Sequence, residues 1–237
     1  MSRKHLRAHQ SHAIELLRNS LRTGKKRPML QAPVGFGKTL VAATIVRNAQ
    51  ERGKRILFIV DAIALVDQTV KAFFAEGVHS LGVIQADHEM TDWSKPVQVA
   101  SVQTLQRRGM PRCDLVLIDE AHSQNTWLKE IMSSSEWAGV PFIGLSATPW
   151  SKGLGLYYDD LLIPISMANL IRQGFLSKFI AYGPDSPDLS KVKMVAGDYN
   201  EKQLSKVMSD VVLVANVVQT WLSYGQSVPT IAFCVDR

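Results

Sequence analysis

Cysteine is scarce: the 237 residues hold only Cys113 and Cys234, far apart and each beside an apolar run. That scarcity excludes a disulfide framework, and the lack of any CxxC pair excludes a thiolate metal site of the usual spacing. Both thiols are expected to be buried and inert, as free cysteines in apolar surroundings commonly are. Long apolar runs are missing as well. No stretch approaches the roughly 18 apolar residues a membrane span requires. The charged start, Met1 to His5, is not followed by an apolar signal core. No membrane partner is expected, and the location is expected to be cytoplasmic. Internal repeats and low-complexity segments are also absent, which excludes a repeat architecture.

What is present is an ordinary globular composition. With 46% hydrophobic residues the chain can bury one substantial core, and its length fits one domain or one domain plus a fragment. Lysine and arginine outnumber acids 27 to 21, giving +6 and a pI near 9.4, a balance that favours a polyanionic partner. The basic residues gather as Arg3, Lys4 and Arg7, then Arg22, Lys25, Lys26 and Arg27, then Arg107, Arg108 and Arg112. Solvated helix ends and loops explain such clusters as readily as nucleic acid does.

Short β-branched runs alternate with helical stretches, the pattern of parallel strands joined by crossover helices in an α/β sheet. Strands are predicted at Met29–Gln31, Arg55–Val60, Leu81–Ile84, Val97–Ser101, Leu115–Asp119, Phe142–Ser146 and Lys178–Tyr182. Several are nearly continuous in Val, Ile, Leu and Phe, so they are expected to be buried on both faces. Helices are predicted at Ala8–Leu21, Lys38–Arg52, Ala64–Glu76, Thr126–Met132 and Met167–Gln173, with Gly53, Gly77 and Gly174 as stops. Two prolines and three turn formers between Gly183 and Asp188 read as a boundary, which divides the chain into 1–184 and 185–237. Beyond it Asn200–Met208 and Val211–Tyr224 read as helices. Pro229–Val235 reads as a buried-type strand with nothing after it, from which a longer parent chain is expected.

The strongest local signal is Ala32-Pro33-Val34-Gly35-Phe36-Gly37-Lys38-Thr39, set between a strand and a helix. Backbone N–H groups there can surround a phosphate at the positive helix end. Gly35 and Gly37 allow close approach, Lys38 brings a positive charge to the β- and γ-phosphates, and the Thr39 hydroxyl suits Mg2+. Ala32 stands where the general pattern has its first glycine, and a glycine-rich turn without a ligand is the alternative. The second signal is Asp114 to His122, an apolar strand that delivers Asp119 and Glu120 to its carboxyl end, where open α/β sheets bind ligands. Asp119 can hold a metal ion while Glu120 polarises water and takes its proton. Capping of the following helix is the alternative use of such a pair.

GFGKT, the DEAH run 119–122 and Ser146-Ala147-Thr148-Pro149 resemble, in order, motifs I, II and III of the superfamily 2 helicases. The resemblance covers most of residues 7–182 and leans toward the DNA-repair and restriction-associated DEAH branch, through Trp150, Gly153, Tyr157–Asp160 and Leu170–Phe175. It implies a RecA-like P-loop NTPase domain, a mostly parallel sheet with helices on both faces, followed by the start of a second RecA-like lobe. It implies ATP and Mg2+ as cofactors, bound by Arg7, Gln10, Pro33, Val34, Gly35, Phe36, Gly37, Lys38, Thr39 and Leu40. Lys38 and Glu120 would be catalytic, and Thr39 and Asp119 would hold the metal. Arg7-Ala8-His9-Gln10 is similar to the arginine and glutamine that precede the phosphate loop, which implies that Gln10 reads the adenine edge. Ser146, Thr148 and His122 would couple hydrolysis to strand movement. Val60–Thr69 and Ala100–Leu105 resemble segments that contact a sugar-phosphate backbone, which implies nucleic-acid contacts at Gln68, Gln103 and Thr104. The expected partners are DNA, single strand or duplex, with RNA left open, and a second lobe.

Two departures stand out. Asp61-Ala62-Ile63 replaces the proline and arginine usual at the start of motif Ia, leaving phosphate contacts there to backbone N–H groups or nearby lysines. No QxxGRxxR-like run occurs, so the arginines that complete the cleft are expected from outside these residues. An arginine finger contributes about 10³–10⁵ in rate, so little turnover is expected without it. Three functions fit these residues: an ATP-driven helicase or translocase half, a nucleotide-dependent nucleic-acid-binding module, and a P-loop kinase, against which DEAH and SATP together argue.

Overall fold

A computed structural model describes residues 5–85, 88–123, 125–180, 188–195, 198–209, 211–225 and 228–233. The chain divides into two compact units, 1–177 and 178–237.

In the first unit the apolar runs become the strands β1 (Pro28–Gln31), β2 (Ile56–Val60), β3 (Leu81–Ile84), β4 (Val97–Ser101), β5 (Leu115–Ile118), β6 (Phe142–Ser146) and β7 (Asp160–Leu162). They form one seven-stranded sheet in the order β3-β4-β2-β5-β6-β1-β7, and every pairing is parallel. Every residue of β2, β4 and β6 is buried, as a parallel sheet covered on both faces requires. Alternation along the strands feeds two separate cores. Leu30, Phe58, Val99, Leu117 and Leu145 pack on one side with the helices α1 (Ala8–Arg22), α2 (Lys38–Gln50) and α3 (Val66–Ala75). Met29, Leu57, Ile59, Val116 and Phe142 pack on the other with α4 (Val102–Arg108) and α5 (Thr126–Ser133). A short α6 (Met167–Arg172) buries Leu170 in the first core and ends at Gly174, whose φ of 75° is one a glycine adopts without strain. The fold is therefore the α/β class anticipated.

Three elements differ from expectation. Lys178–Ile180 is not in a strand, and Tyr182 lies outside the described residues. The edge beside β1 is instead β7, only three residues long. Its position is set by Asp159, whose carboxylate accepts from the backbone N–H of Lys26 at 2.8 Å and of Arg27 at 3.0 Å. The unforeseen α4 begins at Ser101, whose hydroxyl accepts from the Thr104 N–H. Arg27, counted above in a basic surface cluster, is buried: its guanidinium donates to the carbonyls of Lys26, Met132, Trp137 and Val140 and lies 4.5 Å over the Phe142 ring.

The second unit holds a two-stranded antiparallel pairing, β8 (Met194–Val195) with β9 (Asp198–Tyr199), then α7 (Glu201–Met208) and α8 (Val211–Tyr224). Asn200 caps α7 by accepting from the Gln203 N–H. Pro229–Phe233 carries no strand pairing, and Cys234 and Val235 lie outside the described residues. The turn-rich stretch at 183–187 lies outside them too. Among the described residues no helix is long and apolar enough to cross a membrane.

Cys113 sits half-buried beside Asp114. Burial first, and then the Asp114 carboxylate, push its thiol up to about 12, so at neutral pH it stays protonated and is a poor nucleophile.

Candidate functional site

The carboxyl ends of β1, β5 and β6 bring the three strongest motifs together. The backbone leaves β1 at Gln31, and the Ala32 N–H donates to the Ser146 carbonyl of β6 at 2.8 Å, so the phosphate loop starts hydrogen-bonded to the SATP segment. Phe36 is fully buried and anchors the loop, whereas Val34 is exposed. Gly35 and Gly37 have φ of 78° and 88°, a left-handed region where a β-carbon is costly. Space forbids one as well: a Cβ on Gly35 would run into the Leu176 side chain, and one on Gly37 into the Gln10 amide. Gly37 is the N-cap of α2, a 13-residue helix, so its first N–H groups and the positive end of its dipole face the loop.

Gln10 is buried against this loop. Its Nε2 donates to the Phe36 carbonyl at 2.9 Å and its Oε1 accepts from the Arg7 N–H at 2.9 Å. An amide has two N–H donors and two oxygen lone pairs, so each end retains capacity for one more partner. His9, on the same turn, is buried between the Phe36 and Phe175 rings, with centroids 5.1 and 4.9 Å away. Burial lowers its pKa against the opposing pull of the Phe36 carbonyl, so the ring is neutral at pH 7. Arg7, Gln10, Gly35, Gly37, Thr39 and Leu40 line one open cleft of ≈ 730 Å³, within the size range of small-molecule sites. The hollow behind Ala121 and Leu128, at ≈ 20 Å³, has room for little more than a water.

β5 ends at Ile118, and the Asp119 N–H still donates to the Ile59 carbonyl of β2, so Asp119 is fixed by the sheet edge. Glu120 follows at φ 47°, the sole non-glycine residue with positive φ among those described. Such a conformation costs about 1–2 kcal/mol and turns the Glu120 side chain sharply out of the strand line. Lys38 reaches from the start of α2 to Asp119 Oδ1 at 2.7 Å and to Glu120 Oε1 in a shorter contact. Burial, the largest single influence, pulls the Lys38 pKa down; the two carboxylates together outweigh it, and the net shift is upward from 10.5. One ammonium thus faces two carboxylates, a site prepared for further positive charge.

The coupling candidates also meet here. His122 Nδ1 and Ser146 Oγ are 2.9 Å apart, His122 Nδ1 lies 3.4 Å from Glu120 Oε2, and Ser146 Oγ accepts from the Thr148 N–H at 3.0 Å. Ser151, which no motif flagged, donates its hydroxyl to the His122 carbonyl at 3.1 Å. The predicted nucleic-acid contacts are placed differently. Gln103 Nε2 donates to the Asp61 carbonyl at 2.8 Å, the Thr104 hydroxyl pairs with Ser101 at 3.0 Å, and Gln68 is exposed on α3. Asp61, the departure from motif Ia, also accepts from the Ser123 hydroxyl at 3.1 Å and so ties that segment to the DEAH turn.

Magnesium fits these donors. Asp119 and the Thr39 hydroxyl are hard oxygen groups, and among the described residues no group of three or more carboxylate, imidazole or thiol side chains gathers as a dedicated metal cage. Magnesium is commonly held that way, by one or two protein oxygens with water and phosphate completing the shell.

The sequence pattern of the type III restriction enzyme res subunit matches residues 3–151. A 51.5 kDa protein of a Lactococcus phage (isolate 7-9) is 26% identical over 213 residues, 86% of this chain and 43% of the relative. The putative ATP-dependent helicase IRC3 of Saccharomyces cerevisiae is 29% identical over 261 residues, 98% of this chain and 37% of the relative. Among solved structures, the type ISP restriction-modification enzyme LlaGI, in complex with a DNA substrate mimic, superimposes with a TM-score of 0.58 at 16% identity, covering 94% of this chain and 24% of that one. The chain thus spans less than half the length of these curated relatives. With the motif order, the parallel sheet and this match agreeing, the chain belongs to the family of the type III restriction enzyme res subunit, and its first unit is the N-terminal RecA-like domain of the superfamily 2 helicases.

Proposed function

We propose that this chain is the ATP-binding half of a nucleic-acid motor, which hydrolyses ATP to move on DNA when a second RecA-like lobe closes the cleft. The observation that carries the reading is Lys38 held between Asp119 and Glu120 beside a phosphate loop with both glycines left-handed. The two carboxylates hold the ammonium between them with one negative charge to spare. A triphosphate would draw Lys38 to its β- and γ-oxygens and free Asp119 for the metal and Glu120 for water. Bound magnesium would neutralise phosphate charge. Glu120 would orient the attacking water and accept its proton, and His122 and Ser146 would report the change to the SATP segment. Arg7 and Gln10 would hold the base.

DNA as the track is supported by the net charge of +6, by exposed Arg107, Arg108 and Arg112, and by the DNA complex of the fold neighbour LlaGI. A nucleotide-dependent binding module is the second reading, in which the same Lys38, Asp119 and Glu120 cluster would hold the nucleotide without turnover. ATP hydrolysis measured with and without single-stranded DNA separates the two. We expect slow hydrolysis by this chain alone, and hydrolysis that DNA raises several-fold in a longer protein carrying the second lobe. Hydrolysis indifferent to DNA in that longer protein would contradict the motor, and rapid duplex unwinding by this chain alone would contradict the need for a second lobe.

A further inference from the structure

The turn after α6 lies against the nucleotide cleft, although no motif reading gives it a role there. Gly174 reverses the chain, and the Phe175 and Leu176 N–H groups both donate to the Leu170 carbonyl, at 2.9 and 3.3 Å. Leu170 itself is fully buried, so the turn is anchored in the first core. From that anchor two side chains reach the site. Leu176 occupies the space over Gly35 that a β-carbon would need. The Phe175 ring carries the Arg7 guanidinium over its face, 4.7 Å from the centroid, and meets His9 edge-on at 4.9 Å. Arg7 lines the ≈ 730 Å³ cleft together with Gln10.

Arg7 is exposed, and a free arginine on a surface helix would sample many rotamers. A ring face beneath it restricts the guanidinium to one plane, and a guanidinium so held offers its other face for stacking a planar base. Building on the ATP-site reading, we propose that Phe175 is a positioning residue for the nucleotide base, holding Arg7 as a stacking platform beside Gln10, with Leu176 packing the same turn onto the phosphate loop. Phe175 acts through Arg7 and does not touch the phosphates. Its removal therefore weakens recognition of the base and leaves recognition of the phosphate chain alone.

The test compares two probes: ATP, and inorganic tripolyphosphate, which has no base. Phe175→Leu keeps an apolar filler and removes the ring face, and Phe175→Tyr keeps the ring. Phe175→Leu is expected to weaken ATP binding about tenfold, the loss of one oriented stacking contact, with tripolyphosphate affinity unchanged and Phe175→Tyr near wild type. Arg7→Ala should lose as much, and the double variant Arg7→Ala with Phe175→Leu should lose no more than Arg7→Ala alone, because the two act as one unit. Equal weakening of ATP and tripolyphosphate would reduce Phe175 to a structural prop and overturn the proposal, as would unchanged ATP affinity in Phe175→Leu. Wild-type protein that binds neither probe would instead sink the nucleotide-site reading on which the proposal rests.

Discussion

Glu120→Gln is expected to slow single-turnover hydrolysis of bound ATP by about 10²–10³-fold, in the range of a lost general base, while ATP affinity stays within about threefold of wild type. The side chains have the same size, and glutamine can occupy the left-handed backbone position at the same cost. What disappears is the basicity that accepts a proton from water. Lys38 keeps Asp119 at 2.7 Å, so the phosphate-binding charge remains anchored. Quench measurements with protein in excess of ATP report the chemical step, and a parallel titration reports affinity. An unchanged rate would remove Glu120 from the chemistry and leave the DEAH run a structural turn.

Arg27→Met is expected to destabilise the first unit by about 3 kcal/mol, a fall of roughly 6–12 °C in Tm, although Arg27 belongs to no motif. Its guanidinium satisfies four backbone carbonyls, of Lys26, Met132, Trp137 and Val140, and its ring contact with Phe142 fills space in the second core. Methionine supplies the apolar stem and none of the donors, so the Met132 and Val140 carbonyls lose the arginine, while those of Lys26 and Trp137 keep the N–H groups of Phe142 and Val140. Lys25→Met, two residues away and exposed, is the control and should change stability by no more than about 0.5 kcal/mol. Urea unfolding of the two variants checks the difference. Equal midpoints would mean that water satisfies the carbonyls as well as arginine does.

Much of the first unit was legible because a strand buried on both faces writes itself as an unbroken apolar run. Ile56–Val60 and Phe142–Leu145 are such runs, and both belong to inner strands. β7 was not legible: three residues beginning with an acid give no period, and its place depends on the Asp159 carboxylate meeting the Lys26 and Arg27 N–H groups over 130 residues away. Arg27 looked like its basic neighbours because sequence shows charge and not the carbonyls that loop back to receive it. At the candidate site the residue types of Lys38, Asp119 and Glu120 could be read from spacing. The left-handed Glu120 and the contact of Phe175 with Arg7 could not, since one depends on how a strand ends and the other on a helix 160 residues downstream. Gln103 and Thr104, assigned by resemblance to DNA contacts, also hydrogen-bond within the chain to Asp61 and Ser101, pairings that their spacing does not show.

The central claim is that the phosphate loop and the DEAH carboxylates form one site for Mg-ATP. Lys38 is its test residue, because the raised pKa keeps the ammonium charged throughout the neutral range; its contribution is complete below the unfolded lysine value and fades only as pH rises through the folded one. Calorimetric titration of Mg-ATP into the wild-type chain and into Lys38→Ala at neutral pH is the most direct measurement. A single site in the wild type, weakened about tenfold or more in Lys38→Ala, is the predicted result, the loss of one ammonium–phosphate contact. Equal affinity in both, or no binding in the wild type, would contradict it.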